Sequence, residues 1–244
     1  MKPVVMKAYW LGRVPYRKAW DLQRSAVAEI QAGRLGPTLL LLEHPAVFSL
    51  GRRADRAHLI WSPERCLEAG VEIVASDRGG DATYHGPGQL VAYPLVDLDS
   101  LNLDLWQYVH TLEAAVISYV ATLGVGATFG PEGMAGVWVG NGKLAAVGIK
   151  TSKSITSHGL ALNLDCDLDV FNGGIIPCGL AGRRATSLAE LGAAVPPVDV
   201  AAHDLVPHLA AALQLEIDFA QPHDIWALPQ AEPALETLPV HPQV

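Results

Sequence analysis

The apolar positions along this chain change their spacing several times, and each change marks an element. Residues 4–12, apolar except for Lys7 and the closing Gly12, read as a first strand. Pro15 opens a helical stretch reaching about residue 31, with Trp20, Val27 and Ile30 among its apolar positions and Gly33 beyond its end. Residues 38–42 are continuously apolar and too short for a helix, which predicts a buried strand. Glu43-His44-Pro45 breaks the run, and residues 47–51 resume it in extended form. Ser62-Pro63 carries an N-cap and first-turn signature for a short helix that stops at Gly70, and residues 71–76 follow as a strand. Residues 90–98 read as a strand holding Pro94, which lacks a ladder donor and so predicts an edge or bulged position.

The second half is patterned as clearly. Asp104 caps the clearest helix, in which Leu105, Val109, Leu112, Val116, Tyr119 and Leu123 fall at helical spacing before Gly124. Residues 136–140 and 143–149 flank Asn141-Gly142, a hairpin signal. Residues 155–164 predict a strand, 169–178 a loop, and 186–191 a short helical turn. Residues 199–213 predict a helix kinked at Pro207, and 215–219 a last strand. Beyond Ala220 the proline-rich chain is expected to run extended over the surface. This order does not alternate strictly. It predicts an α+β domain with a mixed sheet and helices on one side, spanning residues 1–220, with 221–244 as a tail.

Composition narrows the function classes. Half of the 244 residues are apolar, enough for a sizeable core. The formal net charge of −8 argues against a nucleic-acid footprint. No apolar run reaches the ~18 residues of a membrane span, and the first ten residues lack a signal-peptide core, so a cytoplasmic protein is expected. Cys66, Cys166 and Cys178 are too few and scattered for a disulfide framework or a zinc site. Basic residues cluster beside glycine-rich motifs: Arg52, Arg53 and Arg56; Lys150 and Lys153; Arg183 and Arg184. Such clusters can be solvated faces, or can meet an acidic partner.

Two stretches carry candidate chemistry. In Gly173-Gly174-Ile175-Ile176-Pro177-Cys178-Gly179, proline and glycine bracket a thiol on a bent segment, either as a nucleophile or as a small buried hydrophobe. A nearby cation would raise its thiolate fraction. Lys143, which leads into Leu-Ala-Ala-Val, is a candidate, against the reading of an exposed hairpin lysine. The other stretch is RGGDATYHGPGQ, residues 78–89, whose glycines let backbone amides line a groove. Its His85 could move protons or hold the loop, and His44 and His158 are equally open. The stretch lacks the lysine and the strand-to-helix context of a phosphate-binding loop.

The blocks EHPAVFSLGR, RGGDATYHGPGQLVAYPLVDL, GKLAAVGI, SHGLALN, IIPCG and ATSL, in this order and spacing, resemble the lipoyl(octanoyl) transferase family. That resemblance implies the biotin/lipoate protein ligase (class II aminoacyl-tRNA synthetase-like) fold. It implies octanoyl transfer from octanoyl-acyl carrier protein to a lysine of lipoyl domains, those of 2-oxoacid dehydrogenases and of the glycine cleavage H protein. Cys178 would carry the acyl thioester; Lys143 would lower its pKa and later take the proton of the incoming amine. Arg78, Gly79, Gly80, Asp81, Ala82, Thr83, Tyr84 and His85 would line the substrate groove with Ala146, Val147, Gly148, Gly159, Leu160 and Ala161. No metal, nucleotide or bound cofactor is implied. The competing readings are an ATP-dependent lipoate or biotin ligase, an octanoyl amidotransferase on the same fold, and a non-catalytic module that binds acyl carrier protein.

Overall fold

The computed structural model describes residues 5–176 and 183–230. Cys178 and the chain beyond residue 230 lie outside them.

A mixed sheet forms the centre. Its strands are β1 (Val5–Arg13), β2 (Thr38–Glu43), β6 (Gln89–Leu95), β7 (Thr128–Phe129), β8 (Val137–Val139), β9 (Gly142–Ser152), β10 (Ile155–Asn163), β11 (Arg184–Ala185) and β12 (Glu216–Phe219), ordered β12-β1-β2-β6-β10-β9-β8-β7 with β11 beside β9. β1 runs parallel to β2 and β12, and the other neighbours on that path are antiparallel. A smaller sheet holds β3 (Val47–Leu50) between β4 (Glu72–Ala75) and β5 (Ala82–His85). The helices are α1 (Tyr16–Gln31), α2 (Pro63–Glu68), α3 (Leu98–Leu101), α4 (Leu105–Thr122), α5 (Leu168–Gly174), α6 (Val198–Leu213) and α7 (Pro222–Trp226).

Helices cover both faces of the main sheet, not one as the element order suggested. Leu39 and Leu41 face α4 and α6 in one core; Leu40 and Leu42 face α1 and α7 in the other. Burial on both faces explains why residues 38–42 read as an unbroken apolar run. α7 also corrects the expected extended tail: Pro222 sits in its first turn and Ile225 is buried against the second core. The stretch read as a loop before Cys178 contains α5, whose first turn is capped by the Asp167 carboxylate accepting from the Val170 amide at 2.9 Å. The hairpin turn centres on Gly140-Asn141, one residue earlier than the Asn-Gly signal. Gly140 has φ +56° and Asn141 is not among the positive-φ residues, as in a type II′ turn.

The strand holding Pro94 is central, not an edge. Its ladder with β10 pairs Ala92 with Leu160, and in continued register His158 would face Pro94. His158 instead adopts φ +58°, and the ladder resumes where the Thr156 amide donates to Val96 O at 2.8 Å. The amide of His158 finds the buried Gln23 of α1, donating to Oε1 at 2.6 Å. Gly159 leaves room for the proline: a Cβ there would meet Ala92 O at 2.0 Å and Pro94 Cδ at 2.9 Å. A local break in one ladder, with its amide satisfied by a helix, thus admits proline to a sheet centre.

Gln23→Leu leaves that buried amide unpaired. We expect a loss of about 1–3 kcal/mol, read as a lower urea midpoint with unchanged slope; an unchanged midpoint would show that the Gln23 bond is dispensable.

Candidate active site

A cleft of about 460 Å³ opens against β9 and β10. Its wall is the pairing of Ala146 with Ala161, Val147 with Leu160, and Gly148 with Gly159. Strand rise puts Lys143 and Gly148 roughly 17 Å apart along this wall. Arg78, Gly80, Asp81, Ala82, Thr83, His85 and Lys143 also line the cleft. Gly79 and Tyr84, expected in the same groove, do not. Gly79 packs on β9, its amide donating to Ile149 O at 3.1 Å, and a Cβ there would meet that oxygen at 2.7 Å. Tyr84 packs into a cluster with Phe48 and Phe171. The cleft also takes in Tyr16, Tyr93, Glu132, Met134, Ala135 and His158, which sequence motifs did not assign to it.

Lys143 is not the exposed hairpin lysine of the alternative reading. It is 6% exposed, its Nζ donates to Ala135 O at 3.0 Å, and it lies 5.0 Å from the Trp138 ring centroid. A bulge between β8 and β9, where Val137 pairs with Ala145 and Trp138 with Lys143, sets this position. On the other edge of β9, β10 pairs as far as Ala145, and β11 takes over with Arg184 beside Gly142 and Ala185 beside Lys143. The Thr186 amide donates to Lys143 O at 3.0 Å.

This places both ends of the Cys178 segment. On the near side, the Ile60 amide donates to Gly174 O at 2.8 Å and the Ile176 amide to His58 O at 2.8 Å. On the far side, Asn172 of α5 grips Ala185, accepting from its amide at 2.7 Å and donating to its carbonyl at 3.1 Å. The segment with Cys178 therefore departs from α5 and returns beside Lys143. The other two cysteines lie elsewhere: both are buried, neither lines the cleft, and burial pushes the Cys166 thiol up to about 12 and raises that of Cys66.

Behind the cleft runs a directed chain of hydrogen bonds. Arg78 Nε donates to Ser49 Oγ at 3.0 Å, and Ser49 Oγ donates to His85 Nε2 at 3.2 Å. His85 Nδ1 donates to Gln89 Oε1 at 2.7 Å, and Gln89 Nε2 donates to Asn163 Oδ1 at 2.8 Å. Asn163 Nδ2 donates to Thr186 O at 2.8 Å and Lys143 O at 3.4 Å. His85 is thus a buried neutral member of a network. Burial holds its pKa well below the usual range, helped by nearby His44 and Arg78. His44, donating from Nδ1 to Val14 O at 2.6 Å and accepting from the Tyr93 hydroxyl at 2.8 Å, is lowered to about 4 by burial, against the upward pull of the Val14 bond. His158 bonds Asp77 through Nε2 at 2.8 Å; burial still lowers its pKa.

In the unfolded chain these imidazoles take up protons near pH 6.5; folded, they do so only at lower pH. The unfolded state then binds more protons below that pH, so stability falls as pH drops from about 7 toward 4. Urea midpoints should be lower at pH 5 than at pH 7, and His44→Phe should narrow the gap whatever its absolute stability. Equal midpoints for the unaltered protein would mean that the histidines are not held neutral.

Known proteins share the sequence and the fold of this chain. Residues 15–214 match the family model described as the lipoyl protein ligase A/B catalytic domain. The chain is 46% identical to the octanoyltransferase of Chloroflexus aurantiacus over 216 residues, 86% of this chain and 95% of that one. It is 39% identical to the mitochondrial octanoyltransferase of Arabidopsis thaliana over 215 residues, 88% of this chain and 91% of that one. Among solved structures, lipoate-protein ligase A bound with ATP superposes with a TM-score of 0.76 at 16% identity, over 90% of this chain and 91% of that one. The putative lipoate protein ligase of T. acidophilum with bound lipoic acid gives 0.74 at 17%, over 90% and 92%. At such identities the structural likeness concerns the fold alone. By matched length and by identity, this chain belongs to the octanoyltransferase family, on the fold of the lipoyl protein ligase A/B catalytic domain.

Proposed function

We propose that this chain takes an octanoyl or lipoyl group from acyl carrier protein onto Cys178 and passes it to a lysine of lipoyl domains, in the cytoplasm. The observation that carries this reading is the buried Lys143 amine, at one end of an elongated cleft and beside the strand on which the Cys178 segment returns. In the first half-reaction the Cys178 thiolate attacks the donor thioester carbonyl. A new C–S bond forms, the old one breaks, and the departing carrier thiolate takes a proton from the Lys143 ammonium. In the second, the neutral amine of the acceptor lysine attacks the Cys178 thioester. The C–N bond forms, the C–S bond breaks, the Cys178 thiolate is regenerated, and Lys143 accepts the proton lost by nitrogen. Thioester exchange is near neutral in free energy and amide formation from a thioester is downhill, so neither half needs ATP. Backbone amides near Cys178 and on the Lys143 strand are the donors we assign to the tetrahedral oxyanion.

The acyl chain lies along the Ala146–Gly148 and Gly159–Ala161 wall. Arg53 borders the cleft, and Arg183 lies 5.2 Å from the centroid of the same Trp138 ring that Lys143 approaches. These cations suit an acidic carrier or lipoyl domain despite the acidic balance of the whole chain. Arg184 is held by Glu190 at 2.6 Å and contributes less.

Intact mass spectrometry after incubation with octanoyl-acyl carrier protein should show one octanoyl adduct without ATP, and none with Cys178→Ala. An ATP requirement would point to a ligase, and no adduct at all to a binding module. Iodoacetamide should alkylate Cys178 at lower pH in the unaltered protein than in Lys143→Met, where the profile should move toward ~8.5; coincident profiles would remove Lys143 from this role.

Donor length gives an independent check. Each buried methylene is worth ~0.8 kcal/mol, so octanoyl should exceed hexanoyl by about an order of magnitude in kcat/KM. Equal values would mean that the wall does not hold the acyl tail.

A further inference from the structure

Helix α4 carries one acid on its buried stripe. Tyr108, Val109, Leu112, Val116 and Tyr119 are buried apolar positions, and Glu113 is buried among them at 2% exposure. Its Oε1 accepts from the Gly136 amide at 2.5 Å, and its Oε2 lies 3.0 Å from His110 Nδ1. That amide belongs to the peptide unit whose carbonyl, Ala135 O, accepts from Lys143 Nζ at 3.0 Å. Carboxylate, peptide and ammonium therefore stand in line, with the peptide dipole aligned between two opposite charges.

The peptide is fixed where it stands. Gly136 has φ +129°, and a Cβ would meet Ala145 O at 2.5 Å and Lys143 Cε at 3.2 Å. Its carbonyl is also engaged, accepting from the Gly130 amide at 3.1 Å. A buried acid gripping a rigid turn is a costly arrangement unless its charge is matched. The groups facing Glu113 are His110 from its own helix and Lys143 from β9. Glu132 lines the cleft and Arg183 lies over Trp138, and neither is among the charges acting on Glu113.

We infer that Glu113 is a positioning residue for Lys143, acting through the Ala135–Gly136 peptide. A negative carboxylate polarises the peptide, makes Ala135 O a stronger acceptor and pins the Lys143 amine in the cleft. Burial raises the Glu113 carboxyl above its usual range, opposed by the Gly136 amide, by His110 and by Lys143. Protonation at acid pH would loosen the anchor. The inference rests on the reading of Lys143 as a working residue in acyl transfer.

Coupling of two charges is reciprocal, so it can be read from the carboxyl side. In protein labelled with carboxyl-13C glutamate, the Glu113 signal should titrate about one pH unit higher in Lys143→Met than in the unaltered chain. Glu113→Gln keeps the shape and still accepts from Gly136 but carries no charge. It should lower kcat about tenfold at neutral pH, with KM for the octanoyl donor within twofold. The ratio of the unaltered rate to the Glu113→Gln rate should shrink toward one over the acid range in which Glu113 takes up its proton. A Glu113 titration unmoved by Lys143→Met overturns the inference even if Glu113→Gln fails to fold. So does a Glu113→Gln rate equal to that of the unaltered enzyme, or one lower by a constant factor at every pH, since a structural role alone would give the latter. If Lys143→Met transfers acyl groups at full rate, the Lys143 role itself falls, whatever the titration shows.

Discussion

The site depends on how the backbone of Lys143 is held. β9 changes neighbours at this residue: β10 pairs as far as Ala145, and β11 takes over beside Gly142 and Lys143. The opposite edge is bulged against β8 at the same place. A free strand end would let a long side chain wander. Here hydrogen bonds on both edges fix the backbone, and Trp138 and Ala135 fix the amine. The same exchange of neighbours brings back the chain that carries Cys178. One local rearrangement of pairing thereby sets both the Lys143 backbone and the place where residues 184 and 185 join the sheet.

The surroundings are polar but largely uncharged. His44 and His85 are both bonded at each ring nitrogen and kept neutral by burial. Neutral imidazoles cost less to bury than charged ones. They also leave the charge lining the cleft to Lys143, Arg53, Arg78, Asp81 and Glu132. The wall built from Ala146, Val147, Leu160 and Ala161 is thus apolar, while polar groups stay hydrogen-bonded behind it.

Much of this was legible in the sequence because local rules and tertiary context agreed. The long helix was marked by Asp104 and its apolar spacing, and the structure adds a capping box between Asp104 and Gln107. The motif residues around Arg78, Ala146 and Gly159 gather at one cleft because β5, β9 and β10 meet there. What misled were positions where a distant partner overrides the local preference. Pro94 reads as an edge residue until Gln23, far away in sequence, is seen to satisfy the His158 amide that the break in the ladder leaves idle. Lys143 reads as exposed because burial depends on Trp138 and Ala135 across a hairpin. Tyr84 belongs to a glycine-rich motif, yet strand alternation turns it into an aromatic cluster. Glu113 did leave a trace, as the one acid on an otherwise apolar helical stripe.

The chain from Arg78 to Lys143 has one further consequence. Arginine has no acceptor to offer at its head, and the carbonyls of Thr186 and Lys143 have no donor to offer at its foot. With both ends fixed in polarity, every member between must receive on one side and give on the other. Serine, histidine, glutamine and asparagine can; an acid, a lysine or an apolar residue cannot. The four intermediate positions are therefore linked as a single unit of substitution, in which a change at Gln89 limits what can stand at His85 or Asn163. Descent with change along this line should proceed by residues that keep the direction of donation, or by simultaneous replacement of the whole row.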